Sequence, residues 1–495
     1  MPTPEADSRR GASRLLLLAL ALALALGITA APASGAASKL RTGVSYVYPF
    51  EAEPAAFENV RRAGARFVLT PLRWGEIAPR QRPASWQPTH PGDPNYRWGL
   101  FDTWVIRAVE AGLTPVFQVR GAPLWASRCA TSSIDVPCRP DPAALAEFAT
   151  AAATRYSGFF NGLPRVRYWQ GMNEPNLSLF FKPQFEGATA VSADLYRELI
   201  NAFYFAVKTV NPDNQVLAAG LGPIAVPGYT IGPLRFTREL LCMRDNKRPT
   251  GEDCGGGVHF DIYDIHPYTT GGPTHEGGRN DVQMGDLPDL VGLLRAADRA
   301  GRIKNAATHT PLWVTELSWD SNPPDPGGLP MPILSRWTAE SLFGAWKAGI
   351  DTFFWFSLRD FAPDGDLPSY ESPESGLYFR GPTVAQDVPK ESLYAFRFPF
   401  VAYPGKRGLS FWGRTPNSRR GRVAIQVLRG GRWRNVLVTR ANGAGIFQGV
   451  AKTGYGRGRR GAARAHYAAE NSLPFSMKPV PDFRQPPFGA ETAAG

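Results

Sequence analysis

Trp169-Gln170-Gly171-Met172-Asn173-Glu174-Pro175-Asn176 is the stretch on which the fold turns, and Leu312-Trp313-Val314-Thr315-Glu316-Leu317-Ser318-Trp319 is its counterpart downstream. In each, a short apolar run of strand composition delivers a glutamate just past its end. A strand buried on both faces cannot hold an ionised side chain, so such an acid marks the edge where a sheet meets solvent. Outward from these two points, from residue 39 to about 360, short β-branched or aromatic runs alternate with longer amphipathic stretches. Eight runs read as strands: 43–48, 67–72, 114–119, 166–169, 215–219, 260–265, 312–315 and 352–356. Helical patterns fall between them, for example at 101–111, 144–156, 193–210, 287–300 and 335–348. The alternation predicts an α/β fold with crossover helices, and eight units predict closure into a (β/α)8 TIM barrel.

A barrel occupies roughly 250 residues or more. A chain of 495 therefore has room for a second, smaller module. Past residue 361 the pattern becomes short apolar runs separated by Gly, Pro and charged residues, at 422–428, 433–439 and 445–450, which predicts a small C-terminal antiparallel β module. The expected organisation is a signal peptide at 1–37, the catalytic barrel at 39–365, a β-rich basic module at 366–478 and a frayed tail at 479–495. A Gly/Arg-rich loop is expected at 454–461.

The leader reading rests on Arg9, Arg10 and Arg14, an apolar run from Leu15 to Ile28, and small residues at Ala31-Pro32-Ala33. That run is short for a bilayer span, and no later stretch is long and apolar enough, so a secreted or cell-wall-associated protein is expected. Export makes disulfides of the four cysteines, with Cys129–Cys138 and Cys242–Cys254 as the local pairing and two other connectivities open. Neither pair has C-x-x-C spacing or a nearby histidine pair, so no metal site is expected. Fifteen Lys/Arg and no Asp/Glu lie between Lys406 and Tyr467, which accounts for more than the whole net charge of +12. That basic stretch suits an anionic wall polymer or acidic polysaccharide, and equally a solvated arginine-rich surface.

Reactive groups of a barrel sit past the C-terminal ends of its strands. Glu174 after strand four and Glu316 after strand seven are thus brought to one mouth, the pair that glycosidic cleavage by double displacement requires. Thirteen Trp exceed what a core needs, and surplus rings can stack on sugars.

Asn173-Glu174-Pro175 after strand four, with Glu316 after strand seven, resembles the signature of the clan A glycoside hydrolases. The resemblance runs over about residues 40 to 360. It extends to His266-Pro267-Tyr268 after strand six, Leu72-Arg73-Trp74 after strand two, and Trp355 on strand eight. The segment from Leu72 to Pro79, with Tyr96-Arg97-Trp98, Asp102 and Pro123-Leu124-Trp125, is similar to families 39 and 5. The resemblance implies Glu174 as general acid/base and Glu316 as nucleophile, with no cofactor. It further implies Arg73 and Tyr268 holding Glu316 ionised, Asn173 on the sugar 2-hydroxyl, His266 beside them, and Trp125, Trp319 and Trp355 as sugar platforms.

The expected partner is a β-linked oligo- or polysaccharide, not nucleic acid. The rival reading is a glycan-binding or wall-associated protein that keeps the barrel without turnover, and transglycosylation would use the same intermediate. Gly456-x-Gly458-x-x-Gly461 fits a dinucleotide fingerprint by letters but is filled with arginine and follows no apolar strand. There is no P-loop, H-E-x-x-H or G-x-S-x-G motif. Asn176-Leu177-Ser178 has glycosylation spacing, yet it abuts the proposed site and is expected to be unmodified.

Overall fold

In the computed structural model the described residues are 36–48, 52–251, 254–305, 307–362, 372–452, 461–480 and 483. The expected signal peptide therefore lies outside them up to residue 35, as do most of the 454–461 loop and of the C-terminal tail.

Eight strands form a closed parallel barrel: β1 (Arg41–Ser45), β2 (Phe67–Arg73), β3 (Thr114–Arg120), β4 (Tyr168–Gly171), β5 (Gln215–Leu221), β6 (Ile262–Ile265), β7 (Leu312–Val314) and β8 (Thr352–Phe356). Each expected strand exists, displaced by at most a few residues at its ends. A helix fills each connection: α1 (Pro54–Arg62), α2 (Gly99–Glu110), α3 (Pro142–Arg155), α4 (Ser192–Val210), α5 (Pro233–Leu240), α6 (Leu287–Arg299) and α7 (Met331–Ala348). Local signals explain several boundaries. Asp141 caps α3 by accepting from the Ala143 and Ala144 amides, with Pro142 opening the first turn. Gly349, at φ 97°, closes α7 in the left-handed conformation that suits glycine.

Side chains alternate across the strands into two cores. Phe67, Leu69, Val116, Leu217, Ile262, Trp313 and Phe354 fill the barrel, while the outer faces pack on the helices. Phe67, Tyr168 and Trp313 meet edge-on or tilted at 5.3–5.5 Å, and Arg41 lies over Phe67 at 5.1 Å, closing the end where the strands begin. Above this aromatic floor the interior turns polar, through Gln118, Gln170, Asp264 and Thr315.

The C-terminal strands form two small antiparallel sheets. β9 (Phe400–Gly405), β10 (Gly408–Arg414) and β13 (Ile446–Ala451) make one; β11 (Gly421–Arg429), β12 (Arg432–Ala441), β14 (Ala462–Tyr467), β15 (Glu470–Asn471) and β16 (Phe475–Ser476) make the other. A short antiparallel pair, Tyr378–Phe379 with Val388–Pro389, precedes them. The wholly buried Lys390 binds Asp360, the Glu374 carbonyl and Ser321, tying the chain back to the loops after β7 and β8. A helix, α8 (Glu391–Arg397), then leads into β9. The module is fused to the barrel: Trp412 packs on Trp346 and Phe343 of α7 at 5.5 Å, and both parts share one hydrophobic core. Both cysteine pairs are bonded as the local pairing expected, Cys129–Cys138 and Cys242–Cys254. No described helix is long and apolar enough to cross a membrane.

Candidate active site

β4 and β5 hold the site together through the backbone. After Gly171, Met172 (φ 72°) and Glu174 (φ 43°) take left-handed conformations, which are strained for side-chain-bearing residues and turn the Glu174 carboxyl inward. The Glu174 amide is held by the Gly220 carbonyl at 3.2 Å. Gly220 is itself at φ 48°, and a β-carbon there would lie 2.1 Å from the Gln170 amide nitrogen, so only glycine fits. Asn176 is fully buried; its amide donates to the Gly222 and Ile231 carbonyls and its oxygen accepts from the Gly222 amide. It therefore stitches the loops after β4 and β5 together and offers no nitrogen to a glycan, in keeping with the expected absence of modification.

The two glutamates meet at one imidazole. His266 Nδ1 is 2.9 Å from Glu174 Oε1, and His266 Nε2 is 3.6 Å from Glu316 Oε1. The Tyr268 hydroxyl donates to Glu316 Oε2 at 3.0 Å, and Gln118 adds a further hydrogen bond. Burial raises the pKa of Glu316 above the ordinary glutamate value and the Glu174 charge adds to this, while His266, Tyr268 and Gln118 oppose it. For His266, burial favours the neutral ring, yet the charges of Glu316 and Glu174 prevail and its pKa is pushed up to about 9. Beneath them Asp264 is raised to about 7, chiefly by burial, while accepting from the Gly220 amide and the Thr315 hydroxyl. Among the buried polar atoms without a hydrogen-bond partner, three belong to this site: Asn173 Oδ1, His266 Nε2 and Glu316 Oε1. Leaving a buried polar atom unpaired is costly, so each of these three suits a partner supplied by a bound ligand.

The mouth thus gathers Asn173, Glu174, His266, Tyr268 and Glu316. Arg73 is not among them; it pairs with Glu76 at 2.7 Å and Asp135 at 3.7 Å. The guanidinium that does sense both acids is Arg120, at the end of β3, where it donates to the Tyr46 hydroxyl. Tyr46 in turn donates to Gln118, and Gln118 to Gln170, forming a hydrogen-bonded chain below the acids. In sequence these residues show only as polar side chains near the ends of apolar strands, with nothing local to mark their partners on other strands.

The three tryptophans also differ from expectation. Trp355 is 0% exposed and its indole donates to the Ser375 carbonyl, because on β8 it is Phe354 and Phe356 that point into the barrel. Phe356 is the aromatic at the mouth, 4.8 Å from the Tyr46 ring. Trp319 is buried against Trp337 and Trp355 and donates to the Thr269 carbonyl. Trp125 is half-buried between Trp74 and Trp86, donates to the Pro79 carbonyl and lies under Arg82. None of the three offers a free platform beside the acids. Among the described residues no cluster of His, Cys, Asp and Glu is suited to a metal.

No protein-family profile matches the chain, and no curated protein does. Among solved structures, the chain is similar in fold to a family 39 glycoside hydrolase from Bacteroides cellulosilyticus WH2, with 19% identity, 83% of this chain and 79% of that one covered, and a TM-score of 0.53. It is also similar to a family 39 enzyme from Xanthomonas axonopodis pv. citri (14% identity, 85% and 95% covered, TM-score 0.50). A monomeric β-xylosidase from Caulobacter crescentus CB15 gives a comparable match (16% identity, 85% and 96% covered, TM-score 0.50). At these identities the likeness is one of fold.

Proposed function

We propose that this chain is a secreted retaining glycoside hydrolase that cleaves the O-glycosidic bonds of a β-linked oligo- or polysaccharide by double displacement. The observation that carries the proposal is the single imidazole of His266 reaching both carboxyls, 2.9 Å from Glu174 and 3.6 Å from Glu316. In the first half-reaction Glu316 attacks the anomeric carbon as the bond to the leaving oxygen breaks, and Glu174 gives that oxygen its proton. In the second, Glu174 takes a proton from water, whose oxygen displaces Glu316 with net retention. Negative charge resides on Glu316 before the first step and on Glu174 after it. The His266 cation faces both, so one fixed charge serves the two halves in turn. Asn173 Oδ1, buried and unpartnered, is the acceptor for a sugar hydroxyl.

A mechanism-based fluorosugar is expected to label Glu316, and Glu316→Gln to abolish turnover while sparing glycan binding. Turnover persisting in that variant refutes the assignment. β-Xylosides are the first substrates to test, since the Caulobacter neighbour is named for that activity. Secretion rests on the leader pattern at 1–37 and the two disulfides, and is checked by sequencing the N-terminus of exported protein. The basic C-terminal stretch is proposed to hold an anionic wall polymer as a second partner.

A further inference from the structure

The second sheet of the C-terminal module has one face in the core and one in solvent. On β11, Val423, Ile425 and Val427 are fully buried, so Arg422, Ala424, Gln426 and Leu428 turn outward. Strand pairing sets rows across this outer face. Arg422 lies opposite Arg440 of β12, and Gln426 lies between Asn435 of β12 and Arg464 of β14. The central row is hydrogen-bonded side to side: Arg464 Nε donates to Gln426 Oε1 at 2.7 Å, and Gln426 Nε2 to Asn435 Oδ1 at 2.8 Å. This orients the rest of the Arg464 fork and the Asn435 amide toward solvent.

The charge pattern of this face is costly for the protein alone. Like charges directly opposite on neighbouring strands destabilise a sheet. Yet neither Arg422 nor Arg440 forms an ion pair with any described residue, and the chain has no Asp or Glu from 406 to 467 to relieve them. Core duty accounts for only one nearby arginine. Arg414 is buried, with its guanidinium on the Leu40 carbonyl, the Thr42 hydroxyl and the Phe396 carbonyl. Those contacts also locate the module. Through them its first sheet joins the barrel at the start of β1, while Phe475 and Ser476 of the second sheet meet Arg336 of α7.

The geometry points to this outer sheet face as a binding site for an extended carboxylated polysaccharide, held by Arg422, Arg440 and Arg464 with the Gln426–Asn435 amides between them. Guanidinium forks match carboxylates in two-point hydrogen bonds, and the intervening amides suit sugar hydroxyls. The Arg pair and the central row stand four residues apart along β11, about 13 Å, so the site engages several sugar units of one chain. Single-stranded nucleic acid is less suited, because it needs open aromatic faces for its bases, and the Trp433 ring is covered by Arg464 at 4.4 Å.

The test uses full-length Glu316→Gln protein, so that binding is read without turnover. Polygalacturonate, neutral xylan, single-stranded DNA and anionic phospholipid vesicles are compared as ligands. Polygalacturonate is expected to bind at low salt and be released at high salt, whereas any xylan held at the mouth should be insensitive to salt and to substitutions on the sheet face. Each of Arg422→Ser, Arg440→Ser and Arg464→Ser should weaken binding about fivefold, and the triple variant about a hundredfold. The triple Arg→Lys variant, which keeps charge but loses the fork, separates the two contributions and controls for folding; it should bind more weakly than wild type and more tightly than the Ser variant. Xylan binding that falls as much as polygalacturonate binding in the triple Ser variant, stronger binding of DNA or vesicles, or undiminished polygalacturonate binding by the triple Ser variant would each overturn the proposal. Because catalysis is already removed, failure here leaves the hydrolase reading untouched.

Discussion

The His266 side chain concentrates the chemistry of the mouth at one residue. It is the cation that opposes the burial-driven rise of Glu316, so removing it should raise that pKa further. His266→Asn is expected to move the acid limb of kcat/KM to higher pH, and to lower kcat by about 10²–10⁴; a pH–rate profile with an unmoved acid limb contradicts this. The folded-state pKa of His266 is also above its ordinary 6.5. Its contribution to stability is therefore complete below about 6.5 and is lost as pH rises through about 9, which urea titrations across that window can measure. Gly220 is the second pivot. Gly220→Ala adds a β-carbon against Gln170 at a positive φ and should cost about 1 kcal/mol or more, with activity falling alongside. The acids and the His-Pro-Tyr segment were legible in sequence because they sit in short motifs at strand ends. Gly220, Gln118 and Arg120 were not, since their partners lie on other strands: the Gly220 carbonyl meets the Glu174 amide from 46 residues away.

At the scale of the element, β8 shows why existence and direction are separate questions. Its five residues, Thr-Phe-Phe-Trp-Phe, read as a strand at once, and the observed bounds are Thr352–Phe356. Every residue from Phe353 on is aromatic, so composition does not say which alternate set enters the barrel. Pairing with β1, Ser45 against Phe356, belongs to the closed register. The two sets should respond differently to truncation. Trp355→Ala is expected to destabilise by about 3–5 kcal/mol through cavity formation, visible as a lower Tm. Phe356→Ala should act mainly on KM, because its ring faces the mouth beside Tyr46 and Tyr268. The reverse pattern would place Trp355 at the sugar after all. Arg73 is a different case: register sets it beside Arg120 of β3 on the same face, yet Arg73 pairs with Glu76 and Asp135 while Arg120 reaches Tyr46.

For the whole molecule, the sheets at the C-terminus are a buttress as well as a surface. Arg414 reaches the first strand of the barrel, Trp412 sits on α7, and Arg397 pairs with Glu470 at 2.8 Å. Barrel and module should accordingly unfold in one cooperative transition, and Arg414→Ala should lower its midpoint while leaving it single. Two separated calorimetric peaks in the wild type would show independent domains. Each disulfide closes a loop with its cysteines 9 or 12 positions apart. By chain entropy alone each contributes about 3 kcal/mol, so reduction should lower the same midpoint.

Sequence alone determined what depends on local order: eight strand runs alternating with helices, two acids at strand ends, and an acid-free basic stretch near the C-terminus. It left the pairing of the four cysteines open, and the structure closed it on the local pairs. Tertiary structure decided what depends on closure. Joining β1 to β8 chooses which face of each strand looks inward, and that choice sends Trp355 into the core and brings Phe356, Arg120 and Gln118 to the mouth. A side chain's direction alternates with every residue, so it is settled by the register of neighbours distant in sequence and by no property of the residue itself.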